Sequence, residues 1–93
     1  MKIVWSIFAI NQLKKLRESY SQAIISNIIN RTKSLKEFPF IGQKEELLNF
    51  RNEDFRYLIE GKFKIIYCVD KETIRIYSVF HTKQNPEKIK NLD

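Results

Sequence analysis

The second half of the chain carries a group of side chains suited to chemistry on an anion. Arg56, Lys64, Arg75 and Lys83 supply positive charge, and Tyr77 supplies an aromatic face with a hydroxyl. His81, the single histidine, can exchange a proton near neutral pH. Cations beside Tyr and His can hold phosphates and stack on bases, or receive the acidic and apolar side chains of a peptide. Each use implies a macromolecular partner. The plainer alternative is a solvated outer face of a one-sided sheet, where basic residues need no function.

The elements that would position these residues are strands. Phe55 to Ile59, Phe63 to Val69 and Thr73 to Phe80 are rich in β-branched and aromatic residues. The Glu60-Gly61 and Asp70-Lys71-Glu72 breaks between them signal hairpins. With Asp70-Lys71 as the tight loop, alternation puts Phe63, Ile65 and Tyr67 opposite Ser78, Ile76 and Ile74 on a core face. Lys64, Ile66 and Cys68 then oppose Tyr77, Arg75 and Thr73 on the other face. Continuing the same parity places His81 and Lys83 with Lys64, Arg75 and Tyr77. Arg56 joins them if Gly61 is the left-handed residue of a three-residue loop; a two-residue loop puts it on the core side.

The first half reads as a short strand over Lys2 to Trp5 followed by a helical hairpin. Ser6 is a good N-cap for a helix running to about Ser19, in which Ala9, Leu13, Leu16 and Tyr20 share one face. Lys14, Lys15 and Arg17 lie towards the other. A second helix follows Ser21, with Ile25, Ile28, Thr32 and Leu35 as its apolar stripe and Asn27, Arg31 and Lys33 outside it. Pro39 ends it nearby, and Phe38-Pro39-Phe40-Ile41-Gly42 is a rigid connection. Gln43 to Asp54 is too mixed to assign and reads as loop with an irregular edge. The fold class is therefore α+β, in the order β-α-α-β-β-β, with the hairpin packed on one face of a small antiparallel sheet.

At 93 residues one hydrophobic core is expected, hence one domain over 1–93. A 43% hydrophobic share excludes a disordered chain. Lys and Arg total 17 against 11 acidic residues, a net charge of +6, which favours nucleic acid, the ribosome or an acidic protein as partner. Cys68 is the lone cysteine and lies in an apolar run, so it reads as a buried hydrophobe in a chain of the reducing cytoplasm. With one His and one Cys, no metal site is expected, and no cofactor. The apolar start from Ile3 to Ile10 lacks a small-residue cleavage site, which argues against secretion, and no stretch is long enough for membrane insertion.

The strand Phe55-Arg56-Tyr57-Leu58-Ile59-Glu60-Gly61-Lys62-Phe63-Lys64-Ile65-Ile66-Tyr67, followed by Ile74-Arg75-Ile76-Tyr77-Ser78-Val79-Phe80-His81-Thr82-Lys83-Gln84-Asn85-Pro86, resembles the C-terminal half of the RelE/ParE toxin superfamily. The helical hairpin and the Pro-x-x-Gly from Pro39 to Gly42 extend the resemblance over nearly the whole chain. It implies the toxin of a bacterial type II toxin-antitoxin pair, held inactive by an antitoxin whose C-terminal segment wraps over it. A net charge of +6 suits an acidic antitoxin. One branch of the superfamily cleaves mRNA on the ribosome; the other, ParE-like, poisons DNA gyrase without being a nuclease.

On the nuclease branch the resemblance implies Lys64, His81 and Lys83 as the catalytic set. Lys64 matches the basic residue before the Ile-Ile-Tyr strand and Lys83 the basic residue after the last strand. Both are Lys where the nucleases carry Arg, and no Tyr follows Tyr77. A mobile ammonium does not reproduce the bidentate phosphate contact of a guanidinium. The ParE-like reading therefore leads, with the helical cations Lys14, Lys15, Arg17, Arg31 and Lys33 and the sheet face with its tail as the protein-binding surface. His81 is read there as a strand-end residue hydrogen-bonded to the tail. A basic binding module without toxicity is the third reading. The segment Asn85 to Lys90 is expected to be a solvated tail that orders against a partner.

Overall fold

The computed structural model describes residues 1–84. The expected tail from Asn85 to Lys90 lies outside the described residues. Strand β1 (Lys2–Trp5) leads into α1 (Ile7–Ser19) and α2 (Gln22–Lys33), then a short β2 (Gln43–Lys44) and the long strands β3 (Asp54–Glu60), β4 (Phe63–Asp70) and β5 (Thr73–His81). The fold is α+β, with two helices on a five-stranded sheet of order β1-β5-β4-β3-β2. The sheet is mixed, because β1 runs parallel to β5 while the other pairs are antiparallel. No helix of the described residues is long and apolar enough to cross a membrane.

Both helices start where a serine can cap them. Ser6 Oγ accepts from the Ala9 N–H and Ser21 Oγ from the Ile24 N–H, each satisfying one of the orphan donors of a first turn. Their apolar stripes then meet the sheet. Ala9, Leu13, Ile25, Ile28 and Leu35 form one cluster with Leu58, Phe63, Ile65, Tyr67, Ile74, Ile76 and Val79. Leu16 and Tyr20 are partly buried against it.

Two hairpins fix the phase of the strands. Glu60 pairs with Phe63 across a two-residue Gly61-Lys62 loop whose glycine has φ of 60°. Asp70 pairs with Thr73, so the loop is Lys71-Glu72 with Lys71 left-handed at φ 55°, in place of the expected Asp70-Lys71. That slip amounts to two residues and leaves the faces near the turn unchanged. A β-bulge then changes them. Tyr67 pairs with Ile76, whereas Ile66 pairs with Ser78, so Tyr77 is an extra residue in β5. Beyond it the phase is reversed, with Val79 opposite Ile65 and His81 opposite Phe63.

The N-terminal elements hold the bulge. Ser6 donates its N–H to the Ile76 carbonyl at 3.0 Å and its hydroxyl to the Tyr77 carbonyl at 3.1 Å. Gln12 Oε1 accepts from the Val79 N–H at 2.8 Å and from Ser78 Oγ at 3.0 Å. Here α1 stands in for a neighbouring strand after β1 has ended, which pairs the backbone groups a bulge would otherwise strand.

Candidate functional site

The sheet face away from the helices is a second apolar cluster with a polar cover. Phe55, Ile66, Cys68, Tyr77 and Phe80 pack with Leu48, and Leu47 and Tyr57 border them. Leu47 and Leu48 arrive in a 3-10 turn over Glu46–Leu48, whose start is held by Glu45 Oε1 accepting from the Leu47 N–H. The unassigned segment between β2 and β3 is therefore a lid on this face. Burial pushes the Cys68 thiol up from its usual range, in keeping with an inert buried hydrophobe.

Cations stand over this cluster, and each is tied to an acid. Lys64 Nζ lies 2.6 Å from Glu45 Oε2 and 4.3 Å from the Tyr57 ring centre. The Glu45 side chain is only 4% exposed, so the pair has little solvent to screen it. Arg51 donates to the Tyr77 hydroxyl at 2.8 Å and to both oxygens of Glu53 at 3.3 and 3.2 Å. Its guanidinium rests 5.2 Å from the Phe55 ring centre and 5.6 Å from that of Tyr77. The hydrogen bond to Glu53 holds the Arg51 guanidinium above its ordinary pKa. Arg75 reaches Glu53 more loosely, at 3.8 Å.

Of the residues singled out in the sequence, Lys64, Arg75 and Tyr77 do share this face, though Tyr77 is buried rather than presented. His81 does not join them. The bulge turns its ring to the helix side, edge-on to Phe63 at 5.5 Å and stacked near Tyr20 at 6.4 Å. Its Nδ1 accepts from the Lys83 N–H at 3.1 Å, in the turn that follows β5, and the tail expected to hydrogen-bond it lies outside the described residues. Lys83 is exposed beyond the end of β5. The expected placement of His81 on the face of Lys64 is thus corrected: parity fails because one inserted residue in β5 reverses it.

Arg56 also leaves the outer face. The two-residue Gly61-Lys62 loop puts it opposite Tyr67 on the helix side, the second of the two outcomes weighed from the sequence. There it clasps the connection before β2, donating to the Phe40 and Gly42 carbonyls at 3.1 and 3.0 Å and to Asp54 at 3.2 Å. Gly42 in turn donates its N–H to the Tyr67 hydroxyl at 2.9 Å, and a Cβ there would lie 2.6 Å from that oxygen. Burial pushes the Tyr67 hydroxyl up, against the pull of the Gly42 N–H. Burial also acts to raise the Asp54 carboxyl, but hydrogen bonds from Lys44 and Arg56 outweigh it and hold the group below the usual carboxylate range.

The helical cations Lys14, Lys15, Arg17 and Lys33 are exposed, whereas Arg31 is half-buried and donates to Ser34 Oγ at 3.3 Å. Sequence reasoning missed Arg51, Glu45 and Glu53, which come from a stretch with no periodicity to mark it. Among the described residues no group of three His, Cys, Asp or Glu side chains is placed to hold a metal ion. Chemically, the outer face is a neutralised cationic surface, and the lone proton-exchanging ring lies on the other side of the sheet.

Comparison with known proteins agrees with this fold. A search of curated protein sequences finds no match. A solved structure described as the YoeB dimer from Staphylococcus aureus superposes with a TM-score of 0.61 at 22% identity, covering 87% of this chain and 97% of that one. At that identity the likeness speaks to the fold. The family described as the ParE toxin of type II toxin-antitoxin system, parDE, matches residues 3–86. With nearly the whole described chain inside that match, the protein belongs to the ParE toxin family of type II toxin-antitoxin systems.

Proposed function

We propose that the chain is a cytoplasmic toxin domain, neutralised by an acidic antitoxin, that acts by binding a protein target, DNA gyrase, and does not cleave RNA. One observation carries the choice between the branches: Lys64 and His81 lie on opposite faces of the β4–β5 ladder. Metal-independent cleavage needs a base for the 2′-hydroxyl, an acid for the leaving oxygen and fixed positive charge around one phosphate. His81 is engaged with Phe63, Tyr20 and the Lys83 N–H, while Lys64 is engaged with Glu45. Held so, on opposite faces, the two side chains are not set around one phosphate.

A second reading is favoured by one feature, the grouping of Lys64, Arg51 and Arg75 over aromatic rings. Such a face suits RNA once its carboxylates are displaced. It would make the protein a ribosome-dependent mRNA endonuclease.

The test adds purified protein to gyrase with relaxed plasmid, and separately to programmed ribosomes with an open A site. Impaired supercoiling with intact mRNA is expected. Codon-positioned cleavage lost in a Lys64→Ala, His81→Ala double variant would overturn the proposal and promote the endonuclease. If neither activity is seen, a non-toxic binding module is left.

A further inference from the structure

Three large apolar side chains stand on one turn that the core holds but does not bury. Phe38, Phe40 and Ile41, in the connection between α2 and β2, are 57%, 56% and 52% exposed, too open to stabilise the fold much by burial. The turn is closed by the Ile41 N–H donating to the Phe38 carbonyl at 3.2 Å, with Pro39 in the second position, where its fixed φ is favoured. Beneath it, Arg56 grips the Phe40 and Gly42 carbonyls with its guanidinium 5.2 Å from the Phe40 ring centre, and the enclosed Tyr67 hydroxyl takes the Gly42 N–H.

A connection that only joined two elements would need none of these anchors, and polar residues would suit its tip better. A fixed backbone under solvent-facing Phe and Ile side chains instead lowers the entropic cost of association. Such side chains on a rigid support form the centre of protein–protein contacts. The charges beside the turn narrow the occupant. Lys36 and Glu37 immediately precede it, both are exposed, and neither has an ion-pair partner among the described residues. Opposite signs side by side suit a protein surface, which can set a carboxylate against one and a cation against the other. An anionic bilayer or a nucleic acid would attract Lys36 but repel Glu37.

We infer that the turn over residues 38–41 is the anchor by which the chain grips its protein target. Phe38, Phe40 and Ile41 enter an apolar pocket of that target, whose rim carries charges complementary to Lys36 and Glu37. The inference rests on the reading of function above for the target's identity, DNA gyrase, and adds to it the contact that holds the two proteins together.

Supercoiling of relaxed plasmid by gyrase is titrated with the full chain and its variants, circular dichroism verifying that each folds. Phe40→Ser with Ile41→Ser should raise the concentration for half-inhibition about thirtyfold. Phe50→Ser, at an aromatic residue 62% exposed on the connection between β2 and β3, should leave it unchanged. Phe38→Ser alone, expected to raise it about fivefold, carries the test if the double variant does not fold. Equal inhibition by the parent and the turn variants overturns the inference and leaves the gyrase reading intact, as does an equal loss in Phe50→Ser. Absence of inhibition by the parent removes both. Binding of the parent to phosphatidylcholine–phosphatidylglycerol vesicles, or its sedimentation as a dimer, lost in the turn variants while inhibition persists, would assign the turn to a lipid surface or a second copy and also overturn the inference.

Discussion

The same three strands bury two faces in different ways. Towards the helices, Ile65, Tyr67, Ile74 and Ile76 are wholly buried among Ala9, Ile25 and Ile28. That side is held by area removed from water, and its strength depends on shape. Away from the helices, the cluster around Ile66, Cys68 and Tyr77 is closed by one short 3-10 turn and by ion pairs to Lys64 and Arg51. A thin cover cannot exclude water by bulk, so it is pinned by charge. The first face is thus sensitive to any polar intrusion, and the second to the loss of one partner from a charged pair.

The largest effect should come from placing a charge in the first face. Ile76→Asp buries an unpaired carboxylate at a fully enclosed site, a cost of several kcal/mol, on the order of the whole stability of a small domain. The far-ultraviolet circular dichroism should be that of an unfolded chain; a folded variant would mean that the helices do not seal this side. Next comes the lid. Lys64→Met leaves Glu45 enclosed without its cation and should cost about 3 kcal/mol in urea unfolding. Adding Glu45→Gln to it should restore most of that loss. If the double variant is as unstable as the single one, the lid is held by packing and the contrast between the faces disappears.

Smaller effects follow at the margin. Asp54, held below its usual pKa by Lys44 and Arg56, contributes stability that is present above about pH 4, the unfolded value, and is lost as pH falls through the lower folded value. Thermal melts of Asp54→Asn between pH 2 and pH 5, a window of about this width around a carboxylate pKa, should show a flatter acid limb than the parent. The least effect is expected at Arg75, exposed and 3.8 Å from Glu53. Arg75→Ala should change unfolding free energy by no more than about 0.5 kcal/mol, and a larger loss would give this residue a share in pinning the lid.

The helices and their packing faces were legible because caps and 3.6-residue periodicity are local signals, as at Ser6, Ser21, Ala9 and Leu13. The strands were legible for the same reason, and Gly61 marked its turn. The parallel pairing of β1 with β5 was not, since nothing local distinguishes it from an antiparallel edge. The bulge at Tyr77 left no mark either: Arg75-Ile76-Tyr77-Ser78-Val79 alternates well enough to hide an extra residue, and its cause lies in Ser6 and Gln12, far off in sequence. That one feature decided the side of His81, so the candidate site was less legible than the fold. Arg51, Glu45 and Glu53 depend on the path of an aperiodic segment, which composition does not encode.

The position of β5 between β1 and β4 has a consequence for the order in which the molecule can form. Lys2 must pair with Thr73, so the first strand waits for the last, and the helical hairpin has no complete surface to settle on until both are joined. Contacts so distant in sequence are entropically late, since the intervening chain must be closed into a loop before they form. A growing polypeptide that has not yet delivered Thr73 to His81 holds the helices and one hairpin's worth of partners, but not the barrier to water that they make together. An interrupted copy of this protein would therefore be an exposed, short-lived chain for proteases to clear, and any harm it can do to a cell arrives only when its final strand does.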